Sequence, residues 1–340
     1  MKIGFFDLEG WEENLIKKYF PNQEIYFSTE KLDEEHLPPD KDLEIISVFI
    51  DSKINSKVLD YFPKLKFITT RSVGFDHIDI NACKKRNILV GYVPSYGDNT
   101  VAEFAFGLLL SLTRKIYPAI NQIKEIESFS VKGLRGIDLK GKTLGVIGTG
   151  RIGKEMIKIA NGFGMKVIAY DPYPDENAAK TLNYLYVNLP DLLKNSDVIS
   201  IHCPYNKETH HLINKDNFNL IKRGAYLINT ARGAIVETNA LLLALESGVL
   251  AGAGLDVLEE EGEIKDELSL LSKENLKSNE LFVMLQDHIL MKMPNVLITP
   301  HNAFNSQEAI ERILNTTNLN IESFMNNKPL NLIPEEAYDN

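Results

Sequence analysis

Three kinds of charged side chain stand directly behind apolar runs in the last third of the chain. Arg232 follows Leu227-Ile228-Asn229-Thr230-Ala231, the acids Asp256, Glu259, Glu260 and Glu261 follow Ala253-Gly254-Leu255, and His301 follows Val296-Leu297-Ile298-Thr299-Pro300. If those runs are strands of an open α/β sheet, whatever comes after them faces the crevice where such sheets bind ligands. A guanidinium offers a planar fork that matches a carboxylate with two parallel hydrogen bonds. Hydride addition to a carbonyl builds negative charge on its oxygen, and an imidazolium neutralises it by giving up a proton. A carboxylate beside that imidazole keeps it charged by raising its pKa. Taken singly, such residues are ordinary surface groups. Their shared position makes a set able to reduce a 2-oxo acid.

A hydride needs a donor, and the run Leu144-Gly145-Val146-Ile147-Gly148-Thr149-Gly150-Arg151-Ile152-Gly153 provides a place for one. An apolar strand passes straight into a glycine turn that opens a helix. Gly148 serves the sharp turn, Gly150 lets the backbone approach a pyrophosphate, and Gly153 lets the helix pack closely on the sheet. The amide groups at the helix start then face the phosphate charge. The following helix carries Ile152, Met156, Ile159 and Phe163 on one stripe and stops at Gly162 and Gly164. The next apolar run, Val167 to Tyr170, ends at Asp171, where an acid accepts hydrogen bonds from the adenosine ribose hydroxyls. An anion there repels a 2′-phosphate, and no arginine follows in Pro172-Tyr173-Pro174, so the expected cofactor is NAD rather than NADP.

These residues need a scaffold of alternating strands and helices, and the rest of the chain supplies it. Ile3 to Phe6, Ile45 to Ile50, Phe67 to Thr69 and Ile88 to Val90 read as strands of a first α/β unit. Thr100-Val101-Ala102-Glu103 has the form of a capping box, with Thr100 as N-cap of an apolar helix through Leu112 that Pro118 must bend or end. A second series has strands near Thr143 to Ile147, Val167 to Tyr170, Val198 to His202, Ala225 to Asn229, Gly252 to Leu255 and Val296 to Thr299. Its helices alternate with most of the strands, which implies a mostly parallel, doubly wound sheet. After Pro300 the residues Ile310, Ile313, Leu314, Thr317, Ile321 and Phe324 recur at helical spacing. One helix is not a domain, so it is expected to pack back on the first unit. The expected architecture is a nucleotide-binding domain over 100–301 inserted into a smaller domain built from 1–99 and 302–340. Hinges would fall near Thr100 and His301, and the cleft between domains is a preferred place for a small ligand.

The length of 340 residues fits two domains. A net charge of -10 argues against nucleic acid or an anionic membrane as the main partner, so an anionic substrate must be held by local charge. Cys83 and Cys203 match no disulfide or metal spacing, which fits a reducing compartment. No apolar run is long enough to cross a bilayer, and Met1 to Asp7 is no secretory signal, so a soluble cytoplasmic protein is expected. No metal site is expected. His77 reads as capping or packing a helix start, and the adjacent His210 and His211, lacking a third ligand, read as surface loop residues.

With these pieces in place, the chain resembles the D-isomer-specific 2-hydroxyacid dehydrogenases over nearly its whole length. The matching segments are Arg71-Ser72-Val73-Gly74-Phe75-Asp76-His77-Ile78-Asp79, Val93 to Tyr96 with Asn99 to Glu103, Gly148 to Gly153, Asn229 to Gly233, Gly254 to Glu261 and Pro294 to Phe304. The resemblance implies a Rossmann domain inserted into a flavodoxin-like substrate domain, with Arg232, Glu261 and His301 as the catalytic trio. Glu261 would be the second glutamate of an Asp-x-x-Glu-x-Glu pattern starting at Asp256, a register that Glu259 and Glu260 leave open. It also implies that Asp256 contacts the nicotinamide carboxamide. Arg151, Ile152, Asp171, Cys203, Pro204, Thr209, Thr230 and Ala231 would line the cofactor. The backbone of Val73 and Gly74 would hold the substrate carboxylate, and Phe49, Tyr96 and Phe304 would close the pocket, although apolar residues there also suit a core. The long segment between Glu261 and Pro294 is similar to the D-lactate dehydrogenase branch, which implies pyruvate as substrate. Larger 2-oxo acids such as 2-oxoisocaproate or phenylpyruvate are the alternative. A nicotinamide-sensing binding protein, like the transcriptional corepressor that shares this fold in animals, is the rival from another class. It is disfavoured because the chain lacks an extended tail and basic character. Relatives commonly form dimers or larger oligomers through the nucleotide domain, and the Thr100 to Leu112 helix is either that interface or buried within one subunit.

Overall fold

Ile3, Phe5, Ile45, Ile46, Val48, Phe67 and Ile68 are all completely buried, as expected for parallel strands covered on both faces. They lie on β1 (Lys2–Phe5), β3 (Ile45–Val48) and β4 (Phe67–Thr70), which with β2 (Glu24–Phe27) and β5 (Leu89–Gly91) form an all-parallel sheet in the order β2-β1-β3-β4-β5. This is the flavodoxin-like order. Helices α1 (Glu12–Tyr19), α2 (Ser56–Tyr61) and α3 (Ile80–Lys85) alternate with the strands. The starts of α2 and α3 are fixed by side chains: Asn55 accepts the amides of Lys57 and Val58, and Asp79 accepts that of Ala82. His77 does not cap α3; its Nε2 lies 3.0 Å from the Thr70 hydroxyl oxygen. The computed structural model describes residues 1–259 and 278–334. It divides into two units, Met1–Tyr96 with Ser306–Asn340, and Gly97–Asn305.

The second unit begins with α4 (Asp98–Thr113) and α5 (Ile116–Ile126), and continues through β6 (Thr143–Ile147), α6 (Arg151–Gly162), β7 (Lys166–Tyr170), α7 (Glu176–Leu182), β8 (Leu185–Tyr186), α8 (Leu189–Asn195) and β9 (Val198–Ile201). It is completed by β10 (Ala225–Asn229), α9 (Thr238–Glu246), β11 (Leu250–Leu255), α10 (Ser278–Lys292) and β12 (Val296–Ile298). Seven parallel strands run in the order β12-β11-β10-β9-β6-β7-β8, so the direction of winding reverses between β6 and β9. That reversal is where an open α/β sheet leaves a crevice at its carboxyl edge.

Two local expectations are corrected. Thr100 is not the cap of α4: the helix starts two residues earlier, with Gly97 in the cap position, and Thr100 is buried in its first turn. Asp98 brings negative charge to that turn, and Glu103 accepts a hydrogen bond from Asn99 Nδ2 at 3.0 Å instead of reaching back to a threonine. Pro118 does not end α4 either. The chain breaks before it, with Lys115 left-handed at φ 55°, and Pro118 lies in the first turn of α5, where its missing N–H leaves no bond unmade.

The last helix, α11 (Gln307–Met325), returns to the first unit. Ser306 caps it by accepting the Ala309 amide, Ile313, Leu314 and Ile321 are buried, and Phe324 stacks on Phe67 with centroids 4.6 Å apart.

Candidate active site

At the end of β6 the backbone is shaped by what it must pass. Gly148 has φ +92°, and a Cβ on it would lie 2.6 Å from the Cys203 amide nitrogen, so the turn after β6 runs against the turn after β9. A Cβ on Gly153 would lie 2.1 Å from the Gly148 carbonyl oxygen. Gly150, in the cap position of α6, is different: a Cβ there would meet nothing within 4 Å. The start of α6 therefore opens on space, with Arg151 exposed and Ile152 half-buried as its first residues. An anionic group fits there against the helix amides.

Other expected cofactor residues lie along the same carboxyl edge. Asp171 follows β7, and its Oδ2 accepts the Thr149 amide at 2.7 Å and the Thr149 hydroxyl at 3.0 Å, while its Oδ1 accepts the Tyr173 amide at 2.9 Å. The acid is thus locked to the glycine turn. The Thr149 oxygen is in turn 2.8 Å from the Tyr186 hydroxyl, a contact that sequence reasoning missed because the two-residue β8 carries no strand signal. Burial pushes the Cys203 thiol up to about 11 and the neighbouring His202 imidazole down to about 4, so both are neutral packing groups. Pro204 is exposed, and its carbonyl accepts the Thr209 hydroxyl at 2.7 Å, so Thr209 closes the turn. Thr230 Oγ1 is buried without a hydrogen-bond partner beside half-buried Ala231. A hydroxyl in that state is a fitting partner for a bound ligand.

Arg232, Asp256 and His301 follow β10, β11 and β12, three consecutive strands of the sheet. The turn after β10 is made by Asn229, whose Oδ1 accepts the Ala231 amide at 3.0 Å and whose Nδ2 donates to the Arg232 carbonyl at 2.9 Å. Arg232 is half-buried, with Nη1 donating to the Ala231 carbonyl at 2.8 Å. A Cβ on Gly233 would lie 2.0 Å from the carbonyl carbon of Leu258, so the arginine turn and the acidic turn touch backbone to backbone.

Asp256 is 1% exposed and acts on the turn that carries His301. Its Oδ1 accepts the Thr299 hydroxyl and, at 2.8 Å, the Asn302 amide; its Oδ2 accepts the Ala303 amide at 2.8 Å. Its backbone carbonyl accepts the His301 amide at 2.9 Å, and His301 itself is left-handed at φ 52°. Burial raises the Asp256 pKa, and the hydrogen bond from Thr299, those from the Ala303 and Asn302 amides, and the nearby His301 oppose that rise. Sequence reasoning attached Asp256 to the cofactor and missed this grip on the histidine turn. The signal was a small donor two residues ahead of the histidine.

Glu261 and Glu260 lie outside the described residues. Glu259 is described, and its carboxylate is engaged elsewhere: Oε1 is 2.6 Å from His211 Nε2, and Oε2 accepts the Thr238 hydroxyl at 2.6 Å and the Thr238 amide at 3.2 Å. His211 is therefore no free surface residue. It tethers the acidic turn, while exposed His210 stacks on it at 3.9 Å.

The expected pocket residues divide between the units. Phe49 is half-buried just beyond β3, and Val73 (exposed) and Gly74 (half-buried) lie in the turn beyond β4, where Ser72 Oγ donates to the Gly74 carbonyl at 2.6 Å. Tyr96 is half-buried, with its carbonyl accepting Arg312 Nε at 2.6 Å. Phe304, also half-buried, belongs to the second unit with His301.

Residues 106–303 match the family model described as D-isomer specific 2-hydroxyacid dehydrogenase, NAD binding domain. The chain belongs to this family. Its members are NAD-dependent enzymes, and the glycine turn, Asp171 and the orphaned Thr230 hydroxyl suit that cofactor. The chain is 35% identical over 332 residues to the D-lactate dehydrogenase of Escherichia coli, covering 95% of this chain and 96% of that one. It is 38% identical over 284 residues to an aromatic 2-oxoacid reductase of Clostridium sporogenes, covering 82% of each. Among solved structures, the D-lactate dehydrogenase of Aquifex aeolicus complexed with NAD and lactic acid superposes with a TM-score of 0.84 at 36% identity, covering 96% of each chain. This dehydrogenase therefore reduces 2-oxo acids or oxidises 2-hydroxy acids with NAD, and no helix among the described residues is long and apolar enough to cross a membrane.

Proposed function

We propose that this dehydrogenase reduces pyruvate to D-lactate. The observation that carries the reading is the Asp256 carboxylate, which ties down the His301 turn on the strand next but one to that of Arg232. Bound NADH supplies the hydride to the carbonyl carbon. Arg232 grips the substrate carboxylate with its fork, assisted by the backbone of Val73 and Gly74. His301 donates the proton to the carbonyl oxygen in reduction and takes it back in oxidation. Glu261 holds the imidazole charged and oriented; Glu259, already engaged by His211 and Thr238, is unsuited to that task. Gly150 at the start of α6 receives the pyrophosphate, Gly148 and Gly153 make the turn and the close packing that place it, and Asp171 takes the adenosine ribose. Phe49, Tyr96 and Phe304 shape the space for the acyl group. The likeness to two D-lactate dehydrogenases supports a small substrate, and the likeness to an aromatic 2-oxoacid reductase keeps larger 2-oxo acids as the second reading.

The enzyme is proposed to work in the cytoplasm as a homodimer or larger oligomer. The helix first considered as an interface, now α4, is covered within its own unit, with Ala102, Ala105 and Leu109 fully buried. The adjoining α5 instead exposes Ile116, Tyr117, Ile120, Ile123 and Ile126, followed by Phe129 at 96% and Val131 at 88% exposure. NADH oxidation measured with pyruvate, 2-oxobutyrate, 2-oxoisocaproate, phenylpyruvate and hydroxypyruvate tests the reading. Highest kcat/KM on pyruvate with D-lactate as product is expected. Preference for the bulkier acids selects the second reading, and tight NADH binding without turnover of any acid points to a nicotinamide sensor.

A further inference from the structure

Arg71 is an arginine the mechanism does not use, yet it is 2% exposed at the carboxyl edge of the five-stranded sheet. It directly follows β4, and its donors reach the two strands beyond. Nη2 donates to the carbonyls of Phe6 at 2.8 Å and Asp7 at 2.6 Å, just past β1, and Nη1 donates to Ser47 Oγ on β3 at 3.2 Å. Its Cζ lies 5.4 Å from the centroid of the Phe49 ring, within the range of a cation–ring contact. Burial lowers the Arg71 pKa, and the carboxylates of Glu12 and Asp7 oppose that by supplying countercharge to the guanidinium.

The same network reaches the other end of the Phe49 turn. The Ser52 amide donates to the Phe49 carbonyl at 3.2 Å, closing the turn. The Ser52 hydroxyl donates to Asp7 Oδ2 at 2.7 Å and accepts the Leu32 amide at 3.0 Å. Asp7 is left-handed at φ 57°, with its carbonyl on Arg71 and its carboxylate on Ser52. Phe49 is thus held through its ring by Arg71 and through its turn by Asp7 and Ser52. A lysine could keep the charge, but its compact ammonium lacks the planar fork whose two separate nitrogens reach Ser47 and the Phe6 and Asp7 carbonyls.

We infer that Arg71 is a positioning residue that fixes the Phe49 ring and thereby sets which 2-oxo acid side chains the enzyme accepts. This rests on the reading that Phe49 lines the acyl pocket. The test is kcat and KM on pyruvate, 2-oxoisocaproate and phenylpyruvate for the parent, F49L, R71M, S47A and the F49L/R71M double variant. F49L is expected to raise the kcat/KM ratio of 2-oxoisocaproate to pyruvate. R71M should move that ratio the same way by roughly three- to tenfold, mainly through KM, with S47A following to a smaller extent. The double variant should go no further than F49L, because Arg71 acts through the ring. A ratio that responds to F49L but stays fixed in R71M and S47A overturns the inference, as does a double variant in which the two effects add. If R71M does not fold, S47A decides by the same ratio. A ratio unmoved by F49L removes the pocket assignment and the inference with it. A parent without turnover on any 2-oxo acid sinks the proposed function instead.

Discussion

Two arginines stand at the carboxyl edges of the two sheets, and their surroundings differ. Arg71 comes immediately after β4 and lies in line with the strand ends, 2% exposed, bonded to the carbonyls beyond β1 and to Ser47 on β3. Arg232 comes three residues after β10, on a turn that Asn229 folds away from the strand, and is half-buried. Three residues of turn separate a guanidinium enclosed at the sheet edge from one left half-buried beyond it. The side chain is the same; the backbone before it sets its surroundings.

The contrast is sharpened most strongly at the residue proposed to work beside Arg232. H301Q should lower kcat on pyruvate by roughly two to four orders of magnitude, the scale of general acid catalysis, with little change in the KM for NADH. Next comes the support of that histidine. D256N keeps the size of the side chain but weakens its hold on the Asn302 and Ala303 amides, and a fall of about tenfold in kcat is expected with NADH binding retained. Stability separates the arginines themselves. Thermal melting should show R71M losing about 3 kcal/mol, because buried Glu12 and half-buried Asp7 lose their counterion, whereas R232M should melt within a degree or two of the parent. Equal melting shifts for the two would break the comparison.

A smaller effect is expected from pH. His202 falls from its ordinary 6.5 to about 4 because it is buried, so the unfolded chain binds a proton more readily between those values. Its contribution to stability is fully present above pH 6.5 and is lost as pH falls toward 4. H202N should therefore flatten the acid side of the stability curve in that window, as read by denaturant unfolding at several pH values. An unchanged slope would show that His202 is not desolvated.

The glycine turn was legible because its requirements are backbone requirements: Gly148 must take a positive φ and pass Cys203, and only glycine does both. Arg232, Asp256 and His301 were legible as groups following apolar runs, since strand ends can be read from local composition. Partnerships were not. Glu259 finds His211 48 residues away, and Asp256 finds the 299–303 turn 43 to 47 residues away, through pairings that only the sheet order creates. Four-residue β2 and two-residue β8 were missed because edge strands so short lack an alternating pattern. Thr100 misled because a Thr-x-x-Glu spacing is satisfied equally well inside a first turn. Arg71 was visible within its motif, but nothing local distinguishes an arginine that will be enclosed, as it is, from one left half-buried, as Arg232 is.

Arg232 is proposed to grip the substrate carboxylate through a fork that a single ammonium cannot reproduce. Steady-state pyruvate kinetics of R232K test it most directly. A KM raised by roughly ten- to a hundredfold is expected, with a smaller loss in kcat. A KM equal to that of the parent would contradict it.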